Sequence, residues 1–158
     1  LAQRHERLHF LMAGRDLDTG NQELMRWIAE TGYAHRFALL GERSDVPACM
    51  AAMDIFCLSS RAEGFPNVVG EAMAMGVPCV VTDVGDAAML VADTGVVVPK
   101  EDSPALARGL ASLLAMTPDA RRQLGQKARA RIHAEFAMEH AWKRYEAIYQ
   151  RLTEESRR

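Results

Sequence analysis

Short apolar runs alternate with amphipathic stretches along the first hundred residues. Leu8–Ala13, Phe37–Leu40, Ile55–Leu58, Pro78–Thr82 and Val96–Val98 are each of strand length and bounded by Gly, Asp or Ser. They lack polar alternation, which suits strands covered on both faces, as in a parallel sheet. Helical spacing lies between them. Asn21–Thr31 puts Leu24, Trp27 and Ile28 on one face, and Val46–Met53 tolerates Pro47 in its first turn. Pro66–Met75 has Pro at its start and Gly76 just past its end, and Asp86–Val91 has Asp86 as its expected N-cap. This alternation predicts an α/β fold, a mostly parallel sheet flanked by helices with right-handed crossovers. From about residue 103 the strands stop. Ser103–Met116, Pro118–Phe136 and Met138–Leu152 read as C-terminal helices, the first capped by Ser103 with Pro104 behind it.

Composition narrows the picture. The 158 residues suit one domain, 1–158, with 49% apolar and 25% charged residues. That balance excludes overall disorder, collagen-like repeats and coiled coil. A compact chain of 17.5 kDa exposes roughly 7,900 Å² when folded. No apolar run approaches the ~18 residues that a membrane span needs. With 19 basic and 21 acidic residues the net charge is −2, which gives no global reason to bind nucleic acid or anionic lipid. Three cysteines without paired spacing argue against a disulfide framework. Cys57 and Cys79 lie in apolar runs and read as buried, inert thiols, which points to the reducing cytosol. The first residue is Leu1, so the expectation is a piece of something longer.

Chemistry concentrates in residues 59–73, SSRAEGFPNVVGEAM, which leave the carboxyl end of an expected strand and enter a helix. Ligands of open α/β sheets bind at the carboxyl ends of strands, and helix N-termini offer free N–H groups and positive potential to anions. Gly64 lets backbone approach a ligand closely. Pro66 has no N–H, so the candidate phosphate donors are the amides of Asn67 and Val68. Glu71, four residues after Asn67, shares its helix face about 6 Å further along. A carboxylate there suits two vicinal sugar hydroxyls, and Glu63 on the loop can reach a second sugar. Spacing alone carries little weight, since Glu146 and Glu154 are also eight apart.

Other features read more plainly. Arg121, Arg122, Lys127, Arg129 and Arg131 make a solvated basic face, not a nucleic-acid patch. Trp142, Tyr145 and Tyr149 form a stripe suited to core or inter-domain packing. His9, His35, His133 and His140 have no ligand-like spacing with Cys or Asp, and the nearest pair, His5 and His9, is four apart at the start of the chain. Asp83 and Asp86 can line a cleft, and a turn and a helix cap explain them equally well.

Residues 59–73 resemble the E-x7-E region of group 1, family four retaining glycosyltransferases of the GT-B fold. LHFLMAGRD, FALLGERSDVPACMAAMDIFCLSS, EAMAMGVPCVVTDVGD, DTGVVVPKEDSPALARGLASLL and EFAMEHAWKRYEAIYQRL resemble the same family in the same order. The resemblance implies a Rossmann-like C-terminal domain that binds a nucleotide-diphosphate sugar. It gives Glu63 the contact to the donor sugar at the transfer centre. Gly64, Phe65, Asn67 and Val68 match the loop facing sugar and diphosphate, and Glu71 matches the ribose ligand. Leu40 and Gly41 match the backbone beside the nucleobase, with Arg43 close by. The family transfers with retention and generally without metal or cofactor, onto glycan or lipid-linked acceptors. A first strand, a Gly-Arg…Lys segment and an acceptor domain are expected before Leu1, with cytoplasmic location and possible peripheral membrane association for the whole protein. A non-catalytic nucleotide-binding or regulatory module of the same fold is the alternative. Without the first strand, the strands at Leu8–Ala13 and Ile55–Leu58 are expected either to pair directly or to leave a gap that another chain fills.

Overall fold

A computed structural model describes residues 1–155. Its centre is β4 (Cys79–Thr82), every residue of which is buried. It pairs in parallel with β3 (Phe56–Leu58) on one side and β5 (Val96–Val98) on the other. Alternate side chains of a strand face opposite ways, so β4 feeds two cores. Cys79 and Val81 join the cluster built with α3 (Asn67–Ala74) and α4 (Ala87–Val91). Val80 joins the opposite cluster, under α5 (Ser103–Leu114). Both faces are covered, which is why the strand reads as an unbroken apolar run.

Three residues of α3 fix it to this core: Val69, Ala72 and Met73 are fully buried. α6 (Pro118–Glu135) crosses the end of α3 at a glycine contact. A Cβ on Gly125 would come within 1.8 Å of the Gly76 carbonyl oxygen, so only glycine permits this approach. Arg121 donates to the carbonyls of Leu113, Leu114 and Met116, ending α5. Arg131 does the same for α4, through Met89 and Leu90. Two of the five basic side chains on α6 are therefore structural.

Most elements are shorter than the sequence pattern suggests, by a residue or two at one or both ends; β5 matches it, and the last helix runs three residues further, to Glu155. The cap of α5 is Asp102, whose carboxylate accepts from the Ala105 N–H at 2.8 Å; the expected cap, Ser103, is the first helical residue. Asp86 sits at the N-cap of α4, but its side chain makes no capping bond. Cys57 also departs from expectation. It is exposed, although its surroundings desolvate the thiol enough to raise its pKa. Cys49 and Cys79 are buried.

β1 (Phe10–Met12) and β2 (Phe37–Leu39) form a separate parallel pair, their phenylalanines Phe10 and Phe37 stacked at 4.5 Å. α1 (Gln22–Glu30) connects them and α2 (Val46–Ala51) leads on to β3. β1 and β3 do not pair, so of the two arrangements expected from the sequence direct pairing is not the one found. Instead both line one groove of about 1280 Å³, with Leu106, Leu110 and Leu114 of α5 also on its wall. One strand order, β2-β1 then β3-β4-β5, is thus interrupted at the groove. The last helix, α7 (Met138–Glu155), has no buried residue, and Trp142 on it is 74% exposed.

Candidate functional site

Parallel strands carry their connecting loops to a common end, and two of these loops meet beyond β3 and β4. The first runs from Ser59 to Pro66 and delivers the chain into α3. The second, Asp83–Asp86, leads from β4 into α4. Thr82, at the end of β4, donates its hydroxyl to the Ser60 carbonyl at 2.7 Å. The Asp86 N–H donates to the Gly64 carbonyl at 2.9 Å.

Glu63 is exposed at the tip of the first loop, and its Oε1 accepts from Ser60 Oγ at 2.7 Å. Gly64 is exposed beside it. The ring of Phe65, 45% exposed, leans on Phe136 at 6.2 Å between centroids. Pro66 is buried at the N-cap. Asn67 and Val68 are therefore the first two helical residues, whose N–H groups have no partner within the helix. The Val69 N–H is already bonded to the Pro66 carbonyl. Glu71 is exposed one turn further on. An anion at this helix start would meet two free amides and the positive end of the helix dipole, with one carboxylate above and one on the loop.

The second group of expected residues lies past β2. Leu40 is 36% exposed. Gly41 is buried at φ +63°, donating to the Leu17 carbonyl while its own carbonyl accepts from Gly14. Arg43 is committed to Asp45, with Nε and Nη2 donating to the two carboxylate oxygens at 2.7 and 2.6 Å. These hydrogen bonds raise the Arg43 pKa and lower that of Asp45. Among the described residues, no hydrogen bond or ring contact joins Leu40–Arg43 to the 60–71 segment. Thr82 and Gly85, which hold the first loop, carried no sequence signal of that role. The aromatic depression on α7, lined by Trp142, Tyr145 and Tyr149, shares no residue with either group.

The family profile described as "Glycosyl transferases group 1" matches residues 1–116. The chain belongs to the group 1 glycosyl transferases. It is 34% identical over 137 residues to the lipopolysaccharide core biosynthesis mannosyltransferase LpsB of Rhizobium meliloti, matching 82% of this chain and 38% of LpsB. Its fold is similar to that of the sucrose-phosphate synthase of Thermosynechococcus elongatus, with a TM-score of 0.80 and 28% identity over 90% of this chain and 38% of the synthase. It is likewise similar to Anabaena HepE in complex with UDP-glucose, with a TM-score of 0.79 and 26% identity over 97% of this chain and 43% of HepE. The parallel sheets flanked by helices are thus those of the GT-B glycosyltransferases. The chain spans less than half the length of each of these proteins.

Proposed function

We propose that this chain is the donor-binding half of a glycosyltransferase that moves a sugar from a nucleotide-diphosphate sugar to a glycan or lipid-linked acceptor, with retention at the anomeric carbon. The observation that carries the reading is the entry into α3. Two free amides stand at its start, Glu71 one turn above them and Glu63 on the loop before them.

In this reading the diphosphate sits against the Asn67 and Val68 amides, where the helix dipole favours negative charge. Glu71 accepts the two ribose hydroxyls. Gly64 and Phe65 border the sugar, and Glu63 faces it at the transfer centre. Leu40 and Gly41 border the nucleobase. Arg43, tied to Asp45, acts there as a fixed rim and not as a free cation. Charge grows on the leaving diphosphate as the glycosidic bond breaks, so fixed donors lower that barrier. No metal or cofactor enters the scheme; activity should survive EDTA. The reaction belongs on the cytoplasmic side, where nucleotide sugars are the donors.

Titrating the full-length protein with UDP-, GDP- and ADP-sugars, and following release of the nucleoside diphosphate in the presence of acceptor, tests the reading. One donor class should bind and turn over. Binding without turnover would favour a non-catalytic nucleotide-binding module instead.

A further inference from the structure

Glu63 is an exposed carboxylate on a loop, yet the loop is held at both ends by a different segment. At its entrance the Thr82 hydroxyl, in a residue only 3% exposed, donates to the Ser60 carbonyl at 2.7 Å. Its other neighbour, the Leu58 carbonyl, is at 3.5 Å, so the single hydroxyl proton belongs to Ser60. Ser60 in turn donates from Oγ to Glu63 at 2.7 Å. At the exit the Asp86 N–H holds the Gly64 carbonyl at 2.9 Å.

Gly85 lies directly against the Glu63–Gly64 peptide. A Cβ there would stand 2.1 Å from the Gly64 oxygen and 2.5 Å from the Glu63 oxygen, at φ +50°. Both atoms are backbone, so no side-chain rotation relieves the clash. Any other residue at 85 must push the peptide that carries Glu63.

We propose that Thr82 and Gly85 are positioning residues for Glu63, fixing its carboxylate through Ser60 and through the 63–64 peptide. The inference rests on the reading that Glu63 faces the transferring sugar. Catalytic groups must be held to within about 0.5 Å, and a misplacement of about 1 Å can cost on the order of a hundredfold in rate. The β4–α4 loop thus acts in the transfer through its hold on the Glu63 loop.

The test uses the full-length enzyme and whichever of UDP-glucose, GDP-mannose and ADP-glucose it turns over. Thr82→Val, Thr82→Ser, Gly85→Ala and Glu63→Gln are compared for kcat, for affinity towards the matching nucleoside diphosphate, and for hydrogen exchange at the Asp86 amide. Thr82→Val and Gly85→Ala should lower kcat by about 10- to 100-fold while diphosphate affinity holds, since Glu71 and the α3 amides are untouched. Thr82→Ser keeps the hydroxyl and should keep the rate. The Asp86 amide should exchange faster in Gly85→Ala. Parental kcat in Thr82→Val overturns the proposal, as does a parallel loss of kcat and affinity, or failure of Thr82→Ser to rescue. Parental kcat in Glu63→Gln instead removes the reading on which the inference rests. The clamp itself is then judged by exchange, and a parental Asp86 rate in Gly85→Ala overturns it.

Discussion

Glu63 and Glu71 are both exposed, and their neighbours hold them differently. Glu63 is fastened to Ser60 on a loop held from outside, whereas Glu71 stands on a helix anchored by Val69, Ala72 and Met73. Interactions made with the transferring sugar weigh on kcat; those with the nucleotide weigh on binding. Glu63→Gln should therefore lower kcat by roughly 10- to 100-fold, with a smaller effect on nucleoside diphosphate affinity in calorimetry. A variant with parental kcat would leave Glu63 a loop carboxylate. Cys79 makes a separate prediction. Burial pushes its thiol up to about 12, so the folded state keeps its proton where the unfolded state releases it. The stabilisation is complete below the unfolded pKa near 9.0 and is lost as pH rises towards about 12. The urea midpoint of the parent should fall more steeply between those values than that of Cys79→Val. Parallel profiles would take the thiol out of the account.

At the level of elements, α5 is capped by Asp102 and begins at Ser103. Asp102→Ala should cost about 0.5–2 kcal/mol in urea unfolding, as lost caps do, and Ser103→Ala should cost little. The reverse order would return the cap to Ser103. Met73→Ala, which empties a fully buried site on α3, should cost about 2–5 kcal/mol and lower the unfolding midpoint accordingly. Among the described residues, the sequence pattern located the five strands and the seven α-helices, though not the two short 3-10 turns, because two covered sheet faces leave continuous apolar runs and the helices keep their stripes. The choice between Asp102 and Ser103 was not legible: both are good caps, and only backbone geometry decides. The same limit hid Thr82, whose partner Ser60 is 22 residues away. The local structure of the 59–71 segment was legible because it is set within the segment: a loop, a proline at the helix entry and a carboxylate one turn into the helix. The Arg43–Asp45 pair was not, since an arginine's partner is set by side-chain geometry.

The whole molecule exposes 10714 Å², against roughly 7,900 Å² for a compact chain of its mass. Two features are open to solvent: α7, which has no buried residue, and the groove between β1 and β3. Unpaired strand edges with an apolar wall invite another strand. The polypeptide 1–158 made alone should therefore associate as its concentration rises in sedimentation velocity. A monomer at every concentration, melting cooperatively with the groove open, would contradict this. Among the described residues no helix is long and apolar enough to cross a membrane. The entry into α3, with Glu71 above its free amides, is the centre of the account. The most direct measurement is isothermal titration of the full-length protein with UDP, GDP and ADP, parent against Glu71→Ala. One diphosphate should bind the parent, and the substitution should weaken it by about 1.5–3 kcal/mol, or roughly ten- to a hundredfold. Unchanged affinity in a folded Glu71→Ala protein, or a parent that binds none of the three, would contradict it.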